Sequence, residues 1–325
     1  MGDEEGDILR APESNVGSQI PLQVVYIGGY GRSGSSLLDA LLGSRPGVVS
    51  GGEVCQLFAW CAQERLCSCG LAIGHCPFWG PVVQDVQAQT SLSPAALDHI
   101  TVEAELHGRR VDRWTEVWEC VFRSLRHHHG VARLVDSSKT AGGRRRLSLY
   151  GSVPQAELVL MVHLHRSLGG VVHSRRRGGN LQIERGEKTT PPARAAGLAI
   201  AGWVRANWTA SRARSGPAPY RSLRYDALVA DPQAVVAQIV EAVGWDTIAQ
   251  EEPHRQDHII AGNRMLRSGW DGAVRQHDSW RRDLPVPWRV LAEVVERLAT
   301  AVRIVPDSPS RRPLIKPLTT GSRQR

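Results

Sequence analysis

The chain has 325 residues, 42% of them apolar, with 40 lysines and arginines against 32 acidic residues and a formal charge of +8. That length and apolar share are enough to bury a substantial core, as one large α/β domain or two small ones. No run approaches the roughly 20 apolar residues of a membrane span, so no stable membrane insertion is expected, and the positive balance suits an anionic ligand, a nucleic acid or an acidic surface.

Residues 1–20 open on Met1-Gly2-Asp3-Glu4-Glu5-Gly6-Asp7, without the charge pattern or apolar stretch of a signal peptide, and are expected to be disordered. Leu22-Gln23-Val24-Val25-Tyr26-Ile27 predicts a buried strand, and Leu37-Leu38-Asp39-Ala40-Leu41-Leu42 a helix. Between them lies Gly29-Tyr30-Gly31-Arg32-Ser33-Gly34-Ser35-Ser36. A strand, a glycine-rich turn and a helix N-terminus make a phosphate cradle, because backbone N–H groups converge there and the helix dipole favours an anion. Gly29 and Gly34 have the spacing of a nucleoside-triphosphate loop, but Ser35 stands where such a loop needs lysine. Arg32 is the loop's one cation. The cradle therefore fits one phosphate with a cationic neighbour rather than a magnesium triphosphate.

Strands are predicted at 22–28, 133–136, 157–163 and 219–225, and helices near 35–44, 53–65, 111–126, 167–177, 193–213, 232–243 and 287–302. This alternation implies an α/β fold, a parallel β-sheet flanked by helices on both faces. Ligands of such sheets bind beyond the carboxyl ends of the strands. Arg32, Lys139 and Arg166 each fall just past such an end, so three cations can share one crevice. No internal repeat is present. One domain is expected over 21–305, followed by a disordered basic tail over 306–325 that carries Arg311, Arg312, Lys316, Arg323 and Arg325.

Other features take plainer readings. Val111, Trp114, Trp118, Val121, Phe122 and Leu125 share helical spacing and read as core. Asp231-Pro232 fits an N-cap with proline at the first helical position. His127-His128-His129 follow a helix and complement its negative end. Arg144-Arg145-Arg146 and Arg175-Arg176-Arg177 read as solvated faces. Five of the six cysteines cluster as Cys55, Cys61, Cys67, Cys69 and Cys76. Cys67, Cys69 and Cys76 with His75 or Cys61 offer a zinc set. Cys-x-Cys is not the usual structural-zinc spacing, so reduced thiols shaping a loop are the plainer reading and no metal is assigned.

Five segments, in order, resemble the bacterial sulfotransferases that use 3′-phosphoadenosine-5′-phosphosulfate (PAPS). Arg32-Ser33-Gly34-Ser35-Ser36 resembles their phosphosulfate loop. The resemblance implies that Gly31, Arg32, Ser33, Gly34, Ser35 and Ser36 hold the 5′ end of the donor. Leu134-Val135-Asp136-Ser137-Ser138-Lys139-Thr140 resembles the family's Asp-Ser-Ser-Lys segment. The apolar run Glu157 to His165, then Arg166 and, eight residues on, Ser174, resembles the 3′-phosphate site, with Ser167-Leu168 in place of the common Asp-Pro. An arginine there offers a fork to phosphate, and Ser174 returns to the same helix face about two turns later. Tyr220 to Pro232 resembles a Tyr-Glu-Asp-Leu segment, which implies that Tyr225 contacts the adenosine. Gly262-Asn263-Arg264-Met265-Leu266-Arg267 and Asp278-Ser279-Trp280-Arg281 resemble late family elements, with Arg264 where proline is frequent, and place Asn263 and Arg267 among the cofactor ligands. Cys67-Ser68-Cys69 with Cys76-Pro77-Phe78-Trp79 resembles a segment of some bacterial members and is expected to support the acceptor pocket.

The resemblance implies a P-loop-NTPase-like sulfotransferase fold and transfer of a sulfuryl group to a hydroxyl or amine. It implies a small-molecule, glycan or lipid acceptor. Sulfuryl transfer lacks the charge density of a triphosphate, so no metal is expected, and without an export signal a cytoplasmic setting, where PAPS is made, is expected. Arg32 is expected to stabilise the bridging oxygen and leaving phosphate, and Lys139 the sulfuryl oxygens. No histidine follows Lys139, unlike many cytosolic members. Gly51-Gly52-Glu53 stands where another branch, which includes the tyrosylprotein sulfotransferases, carries a catalytic glutamate. Glu53 is therefore the expected general base, the alternative being a simple helix cap. Two other readings compete. A P-loop kinase or NTPase lacks its loop lysine here, and a nucleic-acid-binding protein would interleave its cations with aromatics on a surface.

Overall fold

The computed structural model describes residues 20–177, 190–245, 258–262, 274 and 278–306. Five strands form one sheet: β1 (Leu22–Gly28), β2 (Val48–Gly52), β3 (Arg133–Asp136), β4 (Ala156–His165) and β5 (Tyr220–Arg224). Their order is β2-β3-β1-β4-β5 and every pair is parallel. β1 therefore lies between β3 and β4, at the point where the strand order reverses. Crevices for ligands open at this point, beyond the strand ends.

The sequence of β1 explains why both faces are covered. Leu22, Val24 and Tyr26 enter one hydrophobic cluster, whereas Val25 and Ile27 enter another. Alternate residues point to opposite faces, so a run apolar at nearly every position belongs to a strand with helices on both sides. β3 divides its residues in the same way, with Leu134 on the first face and Val135 on the second.

The helices are α1 (Ser35–Gly43), α2 (Leu57–Ala62), α3 (Trp79–Thr90), α4 (Pro94–Val102), α5 (Val111–His129), α6 (Arg146–Leu149), α7 (Leu168–Arg176), α8 (Pro192–Ser211), α9 (Tyr225–Ala230), α10 (Pro232–Ala242), α11 (Trp280–Asp283) and α12 (Val286–Ala301). Trp114, Trp118, Val121, Phe122 and Leu125 of α5 are fully buried, as their spacing predicts. Asp231 caps α10 by accepting from the Ala234 amide at 2.9 Å, with Pro232 at the first helical position. A third cluster joins α7, α8 and α12 through Val171, Val172, Trp203, Ala292 and Ala299.

Several expectations are corrected. β2, α3 and α4 are additional elements. Residues 53–65 form a short 3-10 turn, Val54–Gln56, before α2 rather than one helix. His127, His128 and His129 lie within the last turn of α5, which ends at Gly130. Arg144 and Arg146 are not on a solvated face. Arg146 is fully buried between Asp136 and Glu105, at 2.7 Å from each, and Arg144 reaches Glu105 at 2.6 Å. The burial of so long a cation is compensated because its carboxylate partners are buried with it. Among the described residues no helix is long and apolar enough to cross a membrane.

Candidate active site

The turn from β1 to α1 forms the floor of the site. Arg32 and Gly34 take left-handed backbone angles, φ 73° and 93°. Left-handed residues within a turn curl successive N–H groups toward one concavity. Gly34 is required twice over. Its φ disfavours a side chain, and a Cβ there would stand 2.6 Å from Cδ2 of Tyr225. Ser33 is 1% exposed, and its Oγ has no hydrogen-bond partner among the described residues. A buried hydroxyl without a partner is costly, and its position inside the loop fits a bound anion.

Seven non-glycine residues among those described have positive φ, and two of them are Arg32 and Lys139. Such strain persists only where surrounding structure enforces it, and it concentrates at functional sites. For Lys139 the enforcement is visible. Its amide donates to the Ile27 carbonyl at 3.2 Å, and the Thr140 amide to the Gly29 carbonyl at 3.2 Å. Thr140 Oγ1 accepts from the Gly29 amide at 3.1 Å and donates to the Ala206 carbonyl at 2.7 Å. The turn after β3 is thereby stitched along the phosphate loop.

Arg166 follows β4 directly. Its Nη1 donates to the Arg32 carbonyl at 3.3 Å, and its guanidinium lies 4.2 Å over the Tyr225 ring. Trp203 Nε1 in turn donates to the Arg166 carbonyl at 3.0 Å. Arg32, Gly34, Arg166 and Tyr225, from three distant segments, thus lie together. Ser174 lies half-buried in the last turn of α7. Its neighbour Arg175 adds a cation that the sequence reading placed on a solvated face. Arg175 Nη2 lies 3.7 Å from the position of a Gly31 Cβ, and its guanidinium is 5.2 Å from the Tyr30 ring centre. Burial, then the charge of Arg175, lower the Arg32 pKa, and burial lowers that of Arg166. Clustered, desolvated cations of this kind favour an anion between them.

Glu53 follows β2. It is the N-cap residue of the Val54–Gln56 turn, but its side chain makes no capping hydrogen bond to that turn. Instead Glu53 Oε1 pairs with Lys139 Nζ. The Glu53 amide donates at 2.8 Å to the Ile260 carbonyl, which reaches over Gly52. A Cβ at Gly52, φ 71°, would stand 2.2 Å from that oxygen, so only glycine admits this approach. Ser138 Oγ links the two segments, accepting from the Cys55 amide at 2.9 Å. Its partner Asp136 accepts from the Ser138 amide at 2.9 Å and from the buried Arg146.

A further acid lies beneath these segments. Asp39 of α1 is fully buried and accepts from Ser50 Oγ at 2.5 Å and Ser137 Oγ at 2.6 Å. It bolts α1 to β2 and to the turn carrying Lys139. Burial raises its pKa to about 7, although both serines oppose the rise. An acid inside an apolar helix gives no local sign of this role. Asn263 and Arg267 lie outside the described residues.

Residues 24–249 match the sequence profile of the sulfotransferase family. The chain belongs to the sulfotransferase family and is a transferase of sulfuryl groups. No curated protein matches its sequence. Among solved structures, the chain is similar to the sulfotransferase domain of the Synechococcus olefin synthase at 20% identity, over 89% of this chain and 96% of that one, with TM-score 0.46. It is similar to the sulfotransferase domain of the curacin biosynthetic pathway at 18% identity, over 88% and 99%, with TM-score 0.45. A sulfotransferase from Mycobacterium tuberculosis is similar at 18% identity, over 73% and 70%, with TM-score 0.39.

Proposed function

We propose that the chain uses PAPS as its donor and moves the sulfuryl group to a hydroxyl or amine of a small-molecule, glycan or lipid acceptor. The observation that carries this reading is the 3.3 Å contact between Arg166 Nη1 and the Arg32 carbonyl, which supports two phosphate pockets near enough for one nucleotide to span. The fit is supported by the unpartnered Ser33 Oγ in the loop. When bound, PAPS supplies an activated sulfuryl group with a phosphate as leaving group.

The chain's own residues divide the work. The amides and hydroxyls of Ser33, Ser35 and Ser36, with Gly31 and Gly34, hold the 5′ end. Arg166 and Ser174 hold the 3′-phosphate, Tyr225 lies against the adenosine, and Asn263 and Arg267 complete the site. Arg32, seconded by Arg175, offsets negative charge on the departing phosphate, and Lys139 offsets charge on the sulfuryl oxygens. Glu53 takes the acceptor's proton. Its Oε1 is engaged by Lys139 Nζ, so Oε2 is the oxygen that receives it.

The test is thermal unfolding with adenosine-3′,5′-bisphosphate against ATP with Mg²⁺. At about 100 times its dissociation constant, a ligand of the folded state stabilises it by about 2.7 kcal/mol. A marked rise in melting temperature with the bisphosphate alone is expected, and equal rises with both nucleotides would overturn the reading. Transfer is then sought with labelled PAPS and cell extracts. In that assay Glu53→Gln is expected to lose at least about 100-fold in kcat while retaining bisphosphate affinity. Full activity in this variant would remove Glu53 from the chemistry.

A further inference from the structure

The geometry points to a structural zinc ion held by Cys67, Cys69, Cys76 and His258. The donor atoms of these four residues all lie within 4.8 Å of one another. Cys69 Sγ and Cys76 Sγ are 3.8 Å apart, and Cys76 Sγ and His258 Nδ1 are 3.3 Å apart. Zinc binds thiolates at about 2.3 Å and imidazole at about 2.0–2.1 Å, so a tetrahedral site has sulfur–sulfur edges of about 3.8 Å and sulfur–nitrogen edges of about 3.5 Å. Both separations match. The sulfur separation is far beyond the roughly 2.0 Å of a disulfide, and all three cysteines are free.

Three thiolates and one imidazole select zinc over magnesium or calcium, which take oxygen ligands. Four protein ligands close the coordination sphere, which makes the ion structural rather than catalytic. The surroundings already orient the ligands. Cys67 and Cys76 are each 1% exposed. The Cys67 amide donates to the Leu71 carbonyl at 2.8 Å and closes a small hairpin around Cys69. The Trp79 amide donates to Cys76 Sγ at 3.5 Å, and Trp79 Nε1 donates to the His258 carbonyl at 2.6 Å. The His258 ring stacks on Phe78 with centroids 5.5 Å apart. Outer contacts of this type fix the ligands of metal sites.

The ion has a definite task. His258 lies in a strap that passes along the edge of the site, with Ile259 and Ile260 next in the chain. The Ser68 amide donates to the Ile259 carbonyl at 3.3 Å, and the Ile259 amide donates to Ser68 Oγ at 2.7 Å. One residue further, the Ile260 amide donates to the Gly51 carbonyl at 3.2 Å, and the Ile260 carbonyl accepts from the Glu53 amide. Zinc ties the cysteine hairpin to the strap, and the strap holds the backbone of Glu53. The inference concerns a metal centre outside the donor crevice and stands whether or not PAPS is the donor.

The experiment uses the full chain, made without a polyhistidine tag and purified without added metal. Elemental mass spectrometry is expected to find about one zinc per chain. Stripping with EDTA lowers the melting temperature, and zinc chloride restores it where magnesium chloride does not. Cobalt in place of zinc gives the intense visible bands of a tetrahedral thiolate site. Amide exchange at Glu53 and Ile260 accelerates in the stripped protein. Cys69→Ser, at the least buried of the three thiols, weakens zinc retention against a chelating dye by more than about 100-fold. Cys120→Ser, outside the cluster, leaves retention unchanged. Less than about 0.1 zinc per chain, with a melting temperature indifferent to EDTA and zinc, overturns the inference. So does a count of four rather than six titratable thiols in the denatured, unreduced chain, which would mean a disulfide.

Discussion

Replacing Asp39 by asparagine is expected to change how stability depends on pH. In the native chain burial holds the Asp39 carboxyl at about 7, against an ordinary value of 3.8. Between these values the folded chain keeps a proton that the unfolded chain has released. Folding is therefore favoured by this group at low pH, fully so below about 4, and the advantage is lost as pH rises through about 7. Integrated from pH 4.5 to 7.5, the loss is about 3 kcal/mol. His163 works the other way. Burial lowers it from 6.5 to about 4, so its contribution is present above about pH 6.5 and is lost as pH falls toward 4. Over the same range that term is worth about 2.5 kcal/mol, and the two nearly cancel. Asp39→Asn keeps an acceptor for one serine and offers a donor to the other. The assay is urea unfolding of both proteins at several pH values. The stability difference between variant and native chain should move by about 3 kcal/mol in favour of the variant between pH 4.5 and 7.5. Parallel profiles would refute the argument that Asp39 is buried with a retained proton.

Gly34→Ala forces alanine into a left-handed turn and pushes its Cβ to 2.6 Å from Tyr225, so the ring must leave Arg166. Bisphosphate affinity, by calorimetry, is expected to fall at least about tenfold, or 1.4 kcal/mol, and unchanged affinity would detach Tyr225 from the nucleotide. Arg146→Met strands Asp136 and Glu105 in a fully buried position. It is expected to cost about 3–5 kcal/mol in chemical denaturation, and a loss below about 1 kcal/mol would show that the network relaxes into water.

What the sequence discloses follows locality. β1 is apolar at nearly every position and β3 ends in a polar turn, and their predicted bounds, 22–28 and 133–136, coincide with those of the strands. β2 was hidden because Val48-Val49 is followed by Ser50-Gly51-Gly52, which lacks the β-branched and aromatic side chains that mark strands. α3 was hidden by Gly80-Pro81, which reads as a breaker although proline is tolerated in the first turn. The loop and the cations at strand ends were legible because each sits in its own short motif. Arg175, Asp39 and His258 were not, because their partners are distant in the chain. Cys76 meets His258 across 182 residues, a pairing no local window contains. The same holds for Arg146, where three arginines in a row look solvated until Glu105 and Asp136 are brought to them.

The strand order carries a consequence for the newborn protein. β1 leaves the ribosome first, yet both of its neighbours arrive late, since Gln23 pairs with Arg133 on one side and Glu157 on the other. Parallel pairings across such separations form slowly, and an unpaired hydrophobic strand invites aggregation while it waits. A nascent chain interrupted before β4 therefore owns a complete glycine-rich turn but no opposing arginine. Tyr225, which packs against both Arg166 and Gly34, is synthesised later still, so the closing of this corner of the fold is a late event.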